Sequence, residues 1–481
     1  MSDSLAFEMV VGLEVHAELC TQTKIFCGCA TAYGAPPNSQ CCPVCAGTPG
    51  ALPRLNQDAV ELAVRAGLAT HCTIAPRSTF DRKHYTYPDL PKGYQITQFE
   101  TPLCQNGYLD IATQEGEKRI GITRIHMEED AAKLSHNEER GTLVDLNRSG
   151  VPLVEVVSAP DMRSPQQAVA YLKKLHATLV YAGVTNGKMN EGSFRCDVNL
   201  SVRKQGESAL GTRTEIKNLN SFAFVDKAIR HEFDRQVRAL GRGEAIVQET
   251  RRFDAASGAT HSMRAKEDAG DYRYCPEPDL PPVFITKDYL QTVAEALPPL
   301  PDARKKAYQA QYGLPAHHCE ALVLDKDMAD LFEAAAPLTP YPQVLVSLIL
   351  TEVLRLAGQQ DGLPKGFLPS ELAEVATLLG QGRLNSSSGK KLVETLWQKG
   401  GTADAWAQKL NLWQLNDPGE LRAAAAAALK ENPKILADYQ KGKTAALKAL
   451  MGKAMAKTGG RANPEALGEL LLQLANSSLS D

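Results

Sequence analysis

The sequence predicts a multidomain α+β protein: a large β-rich front domain with a cysteine-bearing loop, an all-helical domain, and a small helical tail domain. Three observations carry this. Apolar residues recur with period two through segments such as "FEMVVGLEVHAEL" and "SFRCDVNLSVR". From about Leu297 the spacing changes to i, i+3, i+4, as in "ALVLDKDMADLFEAAA" and "YPQVLVSLILTEVLRLAG". The 481 residues exceed what one core usually organises. The expected divisions are 1–293, closed by the Pro-rich "CPEPDLPPVFIT", then 294–403, and 404–481.

Composition excludes several classes. A hydrophobic fraction of 43% and a charged fraction of 23% are those of an ordinary globular chain. No run approaches the roughly 18 apolar residues of a membrane span. The opening "MSDSLAFEMVVGLEV" has no basic start, apolar core or small-residue cleavage site, so a cytoplasmic location is expected. The net charge of −3 argues against a broadly basic nucleic-acid binder.

In the first strand Phe7, Met9, Val11, Leu13, Val15 and Leu19 share one face, which leaves Glu8, Gly12, Glu14, His16 and Glu18 on the other. Taken alone, this could be a half-exposed strand with a solvated face. The loop "FCGCATAYGAPPNSQCCPVCAGTPG" follows, with a C-x-C pair at Cys27 and Cys29 and a C-x-x-C pair at Cys42 and Cys45. Eleven cysteines in a reducing compartment do not suggest disulfides. Two short-spaced pairs across a turn-rich loop suit a four-thiolate structural zinc site. A metal-free thiol cluster and a redox pair are the alternatives, although "GTPGALP" breaks the helix a redox pair would need. Cys41 is expected to be a bystander.

Acidic and polar rows come next. "RIHMEEDAAK" groups Glu128, Glu129 and Asp130. "SGVPLVEVVSAPD" sets Glu155 among valines, where a carboxylate costs several kcal/mol unless it is paired or bound to a cation. A buried arginine partner would also satisfy it. In "SFRCDVNLSVR" the polar face is Arg195, Asp197, Asn199, Ser201 and Arg203, and "GTRTEIKNLNSF" adds Arg213, Glu215 and Lys217. Such rows suit a cleft for a metal and an anion. No P-loop, Rossmann glycine signature or nucleophile elbow is present. "NSSSGKK" reads as a polar turn and helix cap. In the tail, Lys441, Lys443, Lys448, Lys453, Lys457 and Arg461 lie close together. They form either a solvated helix face or a local positive patch.

In order along the chain, "VGLEVHAEL", the cysteine cluster, "DRKHYTYPDLPKGYQITQ", "HMEEDAAK", "VDLNRSGVPLVEVVSAPD", "FRCDVNLSVR", "TEIKNLNSF", "ETRRFD" and "DYRYCPEPDLPP" closely resemble the B subunit of the bacterial aspartyl/glutamyl-tRNA amidotransferases. The resemblance runs from the first strand to the C-terminus. It implies a kinase-like cradle domain that binds ATP and Mg2+ and phosphorylates the side-chain carboxylate of Glu-tRNA(Gln) or Asp-tRNA(Asn). It implies an amidase A subunit that supplies ammonia, a small C subunit that holds the heterotrimer together, and a helical tail that binds tRNA. By matched motifs, Glu14, His16, Glu129 and Glu155 are expected as the metal and catalytic set, with Asp197 and Asn199 outside it. Lys83 is expected at the ammonia entrance or the acyl phosphate, Arg195 as a phosphate clamp, and Lys443, Lys448 and Lys453 on tRNA. Two rivals stand beside this reading. One is a non-catalytic zinc-bearing tRNA adaptor. The other is the archaeal glutamate-specific paralogue, whose extra inserted domain 481 residues scarcely accommodate.

Overall fold

The computed structural model describes residues 7–137, 139, 141–265, 272–359 and 362–477. The strands are β1 (Phe7–Glu18), β2 (Thr73–Ile74), β3 (Arg77–Ser78), β4 (Asp81–His84), β5 (Tyr94–Thr97), β6 (Cys104–Thr113), β7 (Gly116–Glu129), β8 (Lys133–Asn137), β9 (Gly141–Asp145), β10 (Pro152–Ser158), β11 (Phe194–Lys204), β12 (Thr214–Leu219), β13 (Glu249–Asp254), β14 (Ala259–Ala265), β15 (Cys275–Pro276) and β16 (Val283–Phe284). The front half also holds α1 (Gln57–Ala69), α2 (Pro165–Tyr181), α3 (Phe222–Gly241) and α4 (Lys287–Glu295).

The front half is organised by a nine-stranded sheet in the order β14-β13-β12-β11-β1-β10-β7-β6-β2. It is antiparallel except where β12 runs beside β13. The period-two pattern explains its two faces. Val11, Leu13 and Val15 of β1, Val154 and Val156 of β10, and Val198 and Leu200 of β11 enter one continuous core. Tyr171, Leu172 and Leu175 of α2, Val225 and Ile229 of α3, and Val60 and Val64 of α1 cover that face. Each leucine- or valine-sized side chain so buried contributes about 1.5–3 kcal/mol. The helices start where side chains satisfy free backbone donors: Asn56 caps α1, Ser164 caps α2 ahead of Pro165, and Ser221 caps α3. The opposite face keeps the polar residues of the same strands. A smaller sheet, β15-β4-β5, holds the "DRKH" segment.

The chain divides into two compact units, Met1–Pro301 and Asp302–Asp481. The front unit runs past the expected boundary at 293 because α4 packs on α1, bringing Val293 into the core with the partly buried Leu297 against it. The second unit is helical. The expected division at 404 falls inside it: Asn385 Nδ2 donates to the Gly460 carbonyl at 2.6 Å, and Gln414 N to the Arg383 carbonyl at 2.8 Å. The alanine-rich helix Pro418–Glu431 packs with the helices Ala445–Lys457 and Pro464–Ser477 around Leu421, Ala425, Ala428, Leu450, Leu467 and Leu471. Among the described residues, no helix is long and apolar enough to cross a membrane.

Candidate active site and metal-binding groups

Strand pairing assembles the polar face. His16 on β1 lies opposite Glu155 on β10, and Glu155 lies opposite His126 on β7. Two residues along β7, Glu128 reaches back, so that His16 Nε2 stands 3.2 Å from Glu128 Oε1 and 3.5 Å from Glu155 Oε2. His126 Nε2 is 3.3 Å from the same Glu155 oxygen. One ligand atom from each of His16, Glu128 and Glu155 fits within 4.8 Å of the others. Two carboxylates and an imidazole converging at this spacing suit a divalent cation. The partners of Glu155 are thus imidazoles, and the buried-arginine alternative fails. Burial alone would lower the affinity of His16 for its proton, but hydrogen bonds and charge from Glu128 and Glu155 outweigh it and raise the pKa well above the ordinary imidazole value. Burial likewise opposes the Glu155 carboxylate, and His126 and His16 overcome it, holding the group well below the usual carboxylate range.

Glu129 does not join this group, which corrects the expectation from the motif. The strand pleat turns it to the face opposite Glu128. There it is 2% exposed, accepts from Lys92 Nζ at 2.6 Å and takes the Ile96 N–H at 2.9 Å. Its neighbours Ile125 and Met127 are core residues, so alternation along "RIHMEE" was the signal that separates the two glutamates. The same alternation would have found His126.

Around the acids the face is layered. Glu14, two residues from His16, accepts from Asn199 Nδ2 at 2.8 Å. Asp197, opposite Glu14, accepts from Lys217 Nζ at 2.8 Å, and Glu215 Oε1 lies 3.2 Å from the same ammonium. Arg195 pairs with Asp130 at 2.9 Å, and Arg148 shares that carboxylate at 3.2 Å. Beside them Glu18, which sequence reasoning passed over, is pushed up to about 7 by burial and then by the charge of Asp130. Lys83 comes from β4 with its ammonium 4.8 Å from the centre of the Tyr272 ring. Burial disfavours its charge, but the field of Glu128, with smaller contributions from Tyr274, Tyr272 and Glu155, raises its pKa.

The cysteine loop lies between β1 and α1. Cys27, Cys29, Cys42 and Cys45 bring their sulfurs within 4.8 Å of one another. Cys41 stays outside and points its thiol at the Asn38 carbonyl. The knuckle is closed by Ala46 N–H on the Cys42 carbonyl at 2.9 Å and Gly47 N–H on the Val44 carbonyl at 3.1 Å. Gly47 has φ +69°, and a Cβ there would meet Lys92 N at 2.9 Å, so the turn needs glycine on both counts. Lys24, fully buried, donates to Cys45 Sγ at 3.4 Å and to the Leu146 carbonyl at 2.9 Å, while Cys42 N–H reaches the same sulfur at 3.2 Å. These donors serve a thiolate. The Cys45 pKa falls to about 4, first through its bond with Cys27, while Cys29 is pushed up to about 11, chiefly by burial.

Residues 9–291 match the profile of the GatB/GatE catalytic domain, and residues 330–474 that of the GatB domain. The chain belongs to the GatB family. Among its relatives, the B subunit of the aspartyl/glutamyl-tRNA(Asn/Gln) amidotransferase of Geotalea uraniireducens is 47% identical over 478 residues, covering 98% of this chain and 100% of the relative. The protein of the same name from Caldanaerobacter subterraneus is 48% identical over 471 residues, covering 97% and 99%. In this GatB-family chain Lys448 and Lys453 are exposed on the helix Ala445–Lys457. Lys443 lies just ahead of that helix and pairs with Asp438 at 3.0 Å.

Proposed function

We propose that the chain activates the side-chain carboxylate of Glu on tRNA(Gln), Asp on tRNA(Asn), or both, by ATP-dependent phosphorylation, and holds the acyl phosphate while ammonia from a partner amidase replaces the phosphate. The observation that carries this reading is the convergence of His16, Glu128 and Glu155 beside the ammonium-bearing β4. These three residues would hold Mg2+, with Glu14, Asp197 and Asn199 around them. A bound Mg2+ supplies charge neutralisation on transferring phosphate oxygens.

Two displacements are required. A carboxylate oxygen of the aminoacyl group attacks the γ-phosphorus of ATP, and the bond to the β-phosphate oxygen breaks, releasing ADP. Ammonia then attacks the activated acyl carbon, phosphate leaves with the bonding pair, and the amide nitrogen sheds its extra proton. The contribution of the chain is positioning and charge, as phosphoryl transfer demands. The Lys83 ammonium neutralises the acyl phosphate. Arg195 and Lys217 supply positive charge on the β11–β12 flank, each held in place by a carboxylate.

The four cysteines would hold a structural zinc. Their donor chemistry fits it, and the ammonium of Lys24 offsets part of the negative charge of four thiolates. A closed four-sulfur site staples the loop and performs no step of the reaction. The exposed Lys448 and Lys453 support tRNA binding by the tail. The partners are the small C subunit of a heterotrimer and its amidase A subunit, working in the cytoplasm.

The test is the reconstituted heterotrimer, given each misacylated tRNA with ATP and glutamine. ADP and amidated aminoacyl-tRNA should form together, and both should depend on Glu128. A complex that binds misacylated tRNA but forms neither ADP nor amidated product would instead be the adaptor.

A further inference from the structure

The motif segments "DRKHYTYPDL" and "DYRYCPEPDLPP" leave aromatic side chains that the phosphorylation chemistry does not use. The structure joins them. Cys275 and Pro276 of β15 pair with Arg82 and Asp81 of β4, and His84 N–H donates to the Tyr272 carbonyl at 2.9 Å. This brings Phe99 onto Tyr274 in a near-parallel stack, with centroids 4.0 Å apart and planes 12° from each other. Tyr272 meets Tyr274 edge-on at 6.1 Å, and Tyr85 meets Tyr272 at 6.5 Å. Lys83 stands against the Tyr272 ring. The ammonium assigned to the acyl phosphate therefore stands against this row of rings, at Tyr272.

Phe99 is 56% exposed and lies outside the front core, so packing does not explain its stack. Its backbone is nonetheless anchored, because its N–H donates to the buried Asp81 carboxylate at 2.8 Å. An exposed ring backed by a second ring, in a row that reaches a cation, is what an unpaired nucleobase stacks on.

We propose that Phe99 and Tyr274 form the stacking platform for the unpaired 3′-terminal adenosine of the aminoacyl-tRNA, which sets the acyl group beside Lys83. This rests on the proposed function. The terminal adenosine fits better than the adenine of ATP because the two flanks of the acidic group differ. The β11–β12 flank offers Arg195 and Lys217, cations suited to phosphate oxygens, whereas the ring flank offers aromatic surface beside the ammonium of Lys83. A single-stranded end brings a base with only one phosphate per nucleotide.

The test uses the reconstituted heterotrimer and uncharged tRNA whose terminal adenine is replaced by 2-aminopurine, so that this arm needs no ATP. Binding should quench the probe, and Phe99→Leu or Tyr274→Leu, which keep apolar bulk but remove a ring, should abolish most of the quench. In steady-state amidation the same variants should raise KM for acyl-tRNA by about five-fold or more, with KM for ATP unchanged. Either variant quenching like the parent overturns the platform. A raised KM for ATP at constant KM for acyl-tRNA overturns the choice of occupant and gives the rings to the adenine of ATP. If the parent complex quenches but forms no ADP with misacylated tRNA, the phosphorylation reading fails while the platform stands.

Discussion

His16 on β1 lies directly opposite Glu155 on β10, and its Nε2 reaches both Glu155 and Glu128, at 3.5 and 3.2 Å. One imidazole thus bridges carboxylates from two other strands that are adjacent to each other only because the sheet is ordered β1-β10-β7. Like charges this close are held apart in energy unless a cation or a protonated imidazole lies between them.

Adjacent glutamates should therefore fail differently. Glu128→Gln should lower kcat for ADP formation by roughly 100-fold or more, the scale of losing one charge-stabilising group, with little change in unfolding midpoint. Glu129→Ala leaves the half-buried Lys92 without its partner and should cost about 3 kcal/mol of stability in urea unfolding. Equal stability losses in the two variants would remove this division of roles.

The cysteine loop should respond to metal before it affects chemistry. Elemental analysis of tag-free protein should find one zinc, and Cys27→Ser, Cys29→Ser, Cys42→Ser or Cys45→Ser should lower zinc content and Tm together. Lys24→Met should speed zinc loss to a chelator, because the Cys45 thiolate loses its ammonium. A protein free of zinc whose melting is indifferent to chelator would refute the site.

Binding of tRNA should depend on salt through the tail. Lys448→Ala with Lys453→Ala should flatten the slope of log affinity against log salt by about one to two units, since fewer counterions are released. Lys443→Ala should add less, because Asp438 already neutralises Lys443. An unchanged slope would place the tRNA contact elsewhere.

Glu232 on α3 gives the pH test. Its side chain is fully buried. Burial opposes its charge, but hydrogen bonds from Arg235, Gln236 and Thr260 overcome this and hold its pKa below the usual carboxylate range. A carboxylate whose folded pKa is depressed stabilises the fold above its unfolded pKa and loses that contribution as pH falls through the folded value. Glu232→Gln should thus cost about 3 kcal/mol near neutrality, and the gap from the parent should close below the ordinary carboxylate pKa. A gap independent of pH in acid unfolding would show that the loss is packing alone.

Much of this was legible along the chain. Alternation within "FEMVVGLEVHAEL" already puts Glu14 and His16 on one face, and alternation within "FRCDVNLSVR" does the same for Arg195, Asp197 and Asn199. Both follow from the pleat, a local property of each strand. The spacing of Cys27, Cys29, Cys42 and Cys45 likewise specifies a four-sulfur group, because the loop between the pairs is short and rich in turn formers. Turn and spacing signals also mark the helical half.

Tertiary structure decided which strands meet. That Glu155 faces His16 and His126, that Glu128 and not Glu129 shares their face, and that Lys83 arrives from a separate small sheet with Tyr272 on the segment leading into β15 all depend on pairings between segments far apart in sequence. Such pairings are set by which hydrophobic faces α1, α2 and α3 can cover at once, and a single strand carries no record of its neighbours. Sequence determined which side chains share a strand face; the order and register of the sheet determined which of them share a site.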